Sequence, residues 1–189
     1  VIISLTDKGY IKRCVSNTFK SQHRGGVGVK GMTTNEEDYV KHLVNCSTHD
    51  YVLFFTNKGK VYRIKGYEIP EYSRQAKGLP IINLLQIEKD EKVSSIIPVS
   101  RECEDKYLVF ATQKGIVKRT LLEEYENIRQ SGKIAISLRD DDELIDVRLS
   151  DGEKLVILGS TSGRMVIFDE KEIRPMGRTA SGVKGIELS

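Results

Sequence analysis

Apolar residues along this chain come in short runs whose period is nearer two than 3.6, and β-branched and aromatic side chains dominate them. That pattern predicts strands. The runs are grouped, and the grouping recurs four times: VIISL-TDKG-YIKR (1–13), YVLFF-TNKG-KVYR (51–63), YLVFA-TQKG-IVKR (107–119) and LVILG-STSG-RMVIF (155–168). Each is an apolar strand, a turn with glycine, and a second strand, three of them carrying bases near the end. Thr-x-Lys-Gly between two β-rich runs is a hairpin signal, the glycine supplying the positive φ of a tight turn. The turn glycines, Gly9, Gly59, Gly115 and Gly163, stand 50, 56 and 48 residues apart.

A second element follows in each unit, an arginine and then a glycine: Arg24 and Gly28, Arg74 and Gly78, Arg129 and Gly132, Arg178 and Gly182. These glycines trail the turn glycines by 19, 19, 17 and 19 residues. After them come apolar runs at 79–85, 134–138 and 183–188, and further strands are expected at 40–46, 93–99 and 144–149. Only 121–128 and 69–72 read as single helical turns. About four strands per ~50 residues is the range of a propeller blade. The expectation is one all-β unit over 1–189, of blade-like antiparallel repeats at about 1–50, 51–106, 107–154 and 155–189, the fourth ending before its last strand. One blade cannot bury both faces of its sheet, so the repeats must stack on one another.

Composition narrows the class. The chain has 189 residues, 39% hydrophobic and 30% charged, enough for a core and against disorder. Its longest apolar runs, such as Tyr51-Val52-Leu53-Phe54-Phe55, fall far short of the ~20 residues of a spanning helix. It opens on Val1 without a basic-then-apolar leader, which suggests a fragment of a longer protein. Cys14, Cys46 and Cys103 match neither a disulfide framework nor a zinc pattern, so a reducing cytoplasm is expected.

Net charge is only +3, but it is segregated. Acids concentrate at 36–38, 88–91, 102–105 and 139–143, while bases recur around glycines. The post-turn bases Lys12 and Arg13, Arg63 and Lys65, Lys118 and Arg119, and Arg164 recur in register. The bases near the second glycine, Arg74 and Lys77, Arg129 and Lys133, Arg178 and Lys184, do the same. Single surface lysines are ordinarily a solvated face, but recurrence in stacked repeats predicts a continuous basic track for a polyanion. Tyr10 and Tyr62 are expected to pack beside it. His23, His42 and His49 have no metal spacing, the run 140–142 reads as an acidic turn, and no nucleophile or phosphate loop is visible. No metal, cofactor or catalytic residue is expected in the chain.

With these repeats in place, the chain resembles the C-terminal domain of the DNA gyrase A subunit. The resemblance runs through QHRGGVG (22–28), TNKGKVYRIKGYEIPEYSRQAKGLPIINLL (56–85), ATQKGIVKRTLLEEYENIRQSGKIAISL (111–138) and RPMGRTASGVKGIEL (174–188). It implies a β-pinwheel, a propeller-like disc, usually of six blades, that exchange strands with their neighbours. It implies wrapping of double-stranded DNA around a basic rim, in service of ATP-dependent negative supercoiling. The family's signature box, Q-R-R-G-G-K-G, corresponds to Gln22-His23-Arg24-Gly25-Gly26-Val27-Gly28, with His23 and Val27 in place of two cations and Lys30 as a substitute charge. Glycines there let backbone N–H groups approach a phosphate, and Arg24 adds a bidentate contact. The resemblance also implies bacterial, nucleoid-associated cytoplasm, and as partners the rest of the A subunit together with the B subunit in a heterotetramer, with ATP and magnesium used by the parent enzyme. Two alternatives stay open: the corresponding domain of topoisomerase IV, and a propeller scaffold for protein partners, which predicts an exposed apolar patch.

Overall fold

The computed structural model describes residues 1–18, 22–28, 32, 34, 37–101 and 106–188. The described residues form fourteen strands: β1 (Ile2–Thr6), β2 (Tyr10–Cys14), β3 (Val40–Asn45), β4 (Tyr51–Thr56), β5 (Lys60–Lys65), β6 (Leu79–Pro80), β7 (Val93–Val99), β8 (Tyr107–Thr112), β9 (Ile116–Leu121), β10 (Lys133–Ile134), β11 (Leu144–Ser150), β12 (Leu155–Gly159), β13 (Met165–Asp169) and β14 (Val183–Lys184). Helical structure among the described residues consists of 3-10 turns. The helical reading of 121–128 survives as one such turn, Leu122–Tyr125, whereas 69–72 is not helical and the turn falls at Gly66–Glu68.

The four hairpin glycines take positive φ, 89°, 76°, 82° and 85° in chain order, and so do Gly28, Gly78, Gly132 and Gly182. The hairpins β1–β2, β4–β5, β8–β9 and β12–β13 are antiparallel and in equivalent register. Strand order shows what holds the blades together: β3-β1-β2-β6, β10-β5-β4-β7 and β11-β8-β9-β14, with β12-β13 as a two-stranded fourth sheet. In each four-stranded sheet the outermost strand is lent by the following repeat. Thus β6 lies on β2 through Ile11↔Leu79, β10 on β5 through Lys133↔Val61, and β14 on β9 through Val183↔Val117.

Stacking explains the unbroken apolar run of β4. Val52 and Phe54 face a cluster with Ile3, Leu5 and Ile11 of the first blade, while Leu53 and Phe55 face a cluster with Leu108 and Phe110 of the third. A strand buried on both faces has no reason to alternate. Phe55 meets Phe110 edge-on, with centroids 5.5 Å apart, and each such buried side chain contributes roughly 1.5–3 kcal/mol. Next to the stack, Ser94 Oγ donates to Leu144 O (2.8 Å) and Ser95 Oγ to Asp146 Oδ1 (2.8 Å), tying β7 to β11.

The fourth sheet is different. Leu155, Ile157, Met165 and Ile167 are 60–68% exposed on one face of β12–β13. In the other repeats the positions equivalent to Met165 are Ile11, Val61 and Val117, all at most 1% exposed. The apolar patch is therefore the kind of face that covers its neighbour elsewhere in the stack.

Candidate nucleic-acid interface

Strand alternation divides the post-turn bases. On β2 and β9 the adjacent Lys and Arg project to opposite faces, and the following repeat reaches both. Lys12 and Lys118 are completely buried, and Arg119 is 6% exposed. The expected outward track does not include these three residues. Instead they fasten blade to blade.

Lys12 Nζ donates to Ser73 O (3.1 Å), Arg74 O (2.5 Å) and Ala76 O (3.0 Å). Lys118 Nζ donates to Ala135 O (2.7 Å), Gly177 O (3.2 Å) and Arg178 O (2.5 Å). Burial lowers both ammonium groups, Lys118 to about 7, with Glu124 opposing the shift and Arg178 adding to it. Arg119 Nε donates to Ile173 O (2.9 Å), and its Nη1 lies 3.4 Å from the fully buried Glu170. Arg13 bonds the equivalent carbonyl two seams earlier, Nε to Ile69 O (2.9 Å), while its Nη1 faces an acid at a different step, Glu71 (3.3 Å), with 15% of its side chain exposed.

Arg63 occupies the same step of its repeat and has a different fate. Its guanidinium lies 3.3 Å from the centroid of the Tyr51 ring, which Lys65 Nζ also approaches at 3.6 Å. Burial pulls Arg63 down from its usual value, with Tyr51 and Glu126 opposing. It borders a cavity of about 790 Å³ between the second and third blades, together with His49, Arg101, Lys106 and Glu123. The Tyr51 seat was missed in the sequence, although the hairpin register places Tyr51 directly opposite Lys65.

Of the second group of bases, Arg74, Lys77, Arg129 and Arg178 lie on the loops that lead into the lent strands, and Lys133 and Lys184 on the lent strands β10 and β14 themselves. Arg129, Lys133 and Lys184 are exposed, and Arg74, Lys77 and Arg178 half-buried. Lys77 Nζ stands 3.9 Å from the Tyr10 ring centroid. Arg178 Nη1 donates to Ile134 O, and Lys184 Nζ sits 3.3 Å from Glu187. Arg164 is exposed and donates to Glu187 O (3.3 Å). Tyr62 packs as expected, fully buried, with its hydroxyl donating to Glu91 (2.8 Å).

Gln22, His23, Arg24, Gly25, Gly26 and Gly28 form an exposed loop turned by Gly26 N–H donating to His23 O (2.9 Å). Gly25 and Gly28 have φ of 83° and 77°, conformations in which glycine is at ease. Lys30 lies outside the described residues. At two hairpin ends a lysine faces an acid, Lys8 with Glu37 (3.9 Å) and Lys58 with Asp90 (3.5 Å), and at the third Lys114 donates to the backbone carbonyl of Asp140 (2.8 Å). The acidic run 140–142 behaves as a turn, with Asp142 Oδ1 accepting from the Lys114 and Glu143 N–H groups. Among the described residues no cluster of three His, Cys, Asp or Glu side chains could hold a metal ion.

The family described as DNA gyrase C-terminal domain, beta-propeller, matches residues 1–47, 50–100, 106–151 and 154–189. The chain is 58% identical over 186 residues to the DNA gyrase A subunit of Halalkalibacterium halodurans, covering 98% of this chain and 22% of that protein. It thus spans about a fifth of that relative. The crystal structure of the C-terminal domain of DNA topoisomerase IV superposes with a TM-score of 0.84 at 32% identity, over all of this chain and 57% of that one. The structure of the DNA gyrase A C-terminal domain does so with 0.78 at 29%, over all of this chain and 60% of the other.

Proposed function

Because the chain belongs to the DNA gyrase C-terminal domain family, we propose that it binds double-stranded DNA without reading its sequence and bends it along the outer edge of the blades. In this reading it serves the supercoiling reaction of a bacterial gyrase, assembled in the cytoplasm with the rest of the A subunit, plus the B subunit. ATP and magnesium act in the parent enzyme and not on these residues. The observation that carries the reading is the recurrence of Arg74, Arg129 and Arg178 three or four residues before the second glycine of successive repeats, with Lys77, Lys133 and Lys184 within two residues of that glycine.

Spaced cations on a curved edge suit phosphates better than bases, because they fix the path of the duplex and carry no sequence information. Bending 20–30 base pairs by 40–90° costs on the order of 1–6 kcal/mol, offset only by contacts that exist when the duplex follows the edge. The exposed loop from Gln22 to Gly28 is suited to anchor that path, with Arg24 as its cation. The test is to replace Gln22 and Arg24 together by Ala. Short-duplex affinity should stay within a few-fold, while bending of long DNA, and the topology left in plasmid closed by nicking and ligation, should revert to that of free DNA. Bending equal to that of the unmodified chain would refute the anchoring role.

A second reading, the corresponding domain of topoisomerase IV, is favoured by the higher structural similarity and by His23 and Val27 at two cationic positions of the box. Supercoiling by the parent enzyme separates the two. The scaffold alternative finds its apolar patch on β12–β13, but at positions that are interblade faces in the other repeats.

A further inference from the structure

Arg13, Arg63 and Arg119 each stand four residues after a hairpin glycine, yet the seams they enter differ. The backbone of Arg13 bridges to Glu71 of the following repeat and that of Arg119 to Pro175, and each side chain there finds a carbonyl and a carboxylate. Among the described residues Arg63 has no such bridge, and its guanidinium has no hydrogen bond or ion pair, only the Tyr51 ring.

The third repeat supplies the reason. Counted from the turn glycine, the step of Glu71 is held there by Asn127 and the step of Glu170 by Leu122, so the repeat that follows Arg63 offers a carboxylate at neither place. Its second glycine also comes after 17 residues in place of 19. The seam is left with space: Arg63, Glu126 and Asn127 line both the cavity of about 790 Å³ and a second of about 590 Å³, which Arg129, Ser131 and Lys133 line as well. Lys133 is placed there by register. It pairs with Val61, two residues before Arg63 on β5, so the two cations leave the same face of the sheet, at a step where the other lent strands carry Leu79 and Val183.

We infer that the seam between the second and third repeats is a phosphate site, in which an external anion takes the place of the missing carboxylate on Arg63. A guanidinium 3.3 Å from a ring centroid spends its face on the ring, while its N–H donors lie in its own plane and stay available for a forked contact. Phosphate suits the space better than a carboxylate, because Arg129 and Lys133 add two cations against Glu126, and Asn127 and Ser131 add neutral donors. The phosphate group comes either from a duplex lying along the loop of Arg129 or from free phosphate. The first source rests on the DNA-binding reading, and the second does not.

The test follows the Arg63 Nε–H by NMR while the full chain is titrated, at constant ionic strength, with inorganic phosphate and separately with a short duplex. In the unmodified chain the signal should move with both. Asn127→Glu restores the acid that Glu71 provides to Arg13, so it should abolish the shift, lower duplex affinity about tenfold, the worth of one charge-assisted contact, and leave the urea midpoint no lower. Gln130→Glu puts the same charge on the same exposed loop outside both cavities and should keep the shift. A shift with the duplex makes DNA the source. A shift with phosphate alone assigns the site to free phosphate, and if the duplex does not bind at all the DNA-binding reading falls by itself. The site is refuted if the Arg63 signal stays still with both probes, whether or not the duplex binds, or if Asn127→Glu leaves the shift as it was.

Discussion

Arg63 and Arg119 hold the same step of their repeats, and replacing each by Met should give opposite results. Arg119→Met deletes the bond to Ile173 O and strands Glu170, whose side chain is completely buried and keeps only Ser150 Oγ and Lys154 N–H as donors among the described residues. Removing one partner of a buried pair costs about 3–5 kcal/mol, because the remaining charge is left uncompensated. Against a typical total of about 5–15 kcal/mol, that is a third or more of the stability. Urea unfolding followed by circular dichroism should show the loss as a lower midpoint at unchanged slope. DNA binding, measured where the variant is still folded, should keep its salt dependence, because Arg119 presents no charge to solvent. Arg63→Met should instead lose about 0.5–2 kcal/mol of cation–π contact with Tyr51 and flatten the salt slope by about 0.9, one phosphate's worth. The double change Arg119→Met with Glu170→Met should recover most of the stability, because an apolar pair replaces an ionic one. The reasoning is refuted if Arg119→Met costs under about 1 kcal/mol, the range of a surface pair, and flattens the salt slope as Arg63→Met does.

Two further outcomes follow from the seams. Gly182→Ala drives a Cβ to 2.4 Å from Val117 O at a φ of +95°, so it should lift β14 from β9; faster amide exchange at the edge of that sheet, below the global transition, is the measure, and unchanged exchange would refute it. Lys118 titrates at about 7 when folded and near 10.5 when unfolded, so between those values the unfolded chain holds the extra proton and stability rises with pH, by up to about 1.4 kcal/mol per unit. Lys118→Met should remove that slope in pH-dependent urea melts, while a slope that persists would assign it to another group.

The repeat itself was legible in the sequence. Gly9, Gly59, Gly115 and Gly163 announce their turns because only a residue without Cβ takes positive φ freely, and that requirement is local. The exposed position of the glycine-rich stretch 22–28 was also legible, because adjacent glycines disfavour a strand and leave a loop. Tertiary structure alone decided which cations face solvent. Lys12 and Arg119 belong to the same Lys-Arg pattern that reads as a surface track, and a strand pattern states alternation without saying whether one face or two are covered. Here the following repeat reaches both, so burial turns the lysine onto backbone carbonyls and pairs the arginine with Glu170. Strand lending was hidden for the same reason: β6, β10 and β14 are two residues each, too short to carry periodicity, and their pairing depends on where the preceding blade stands.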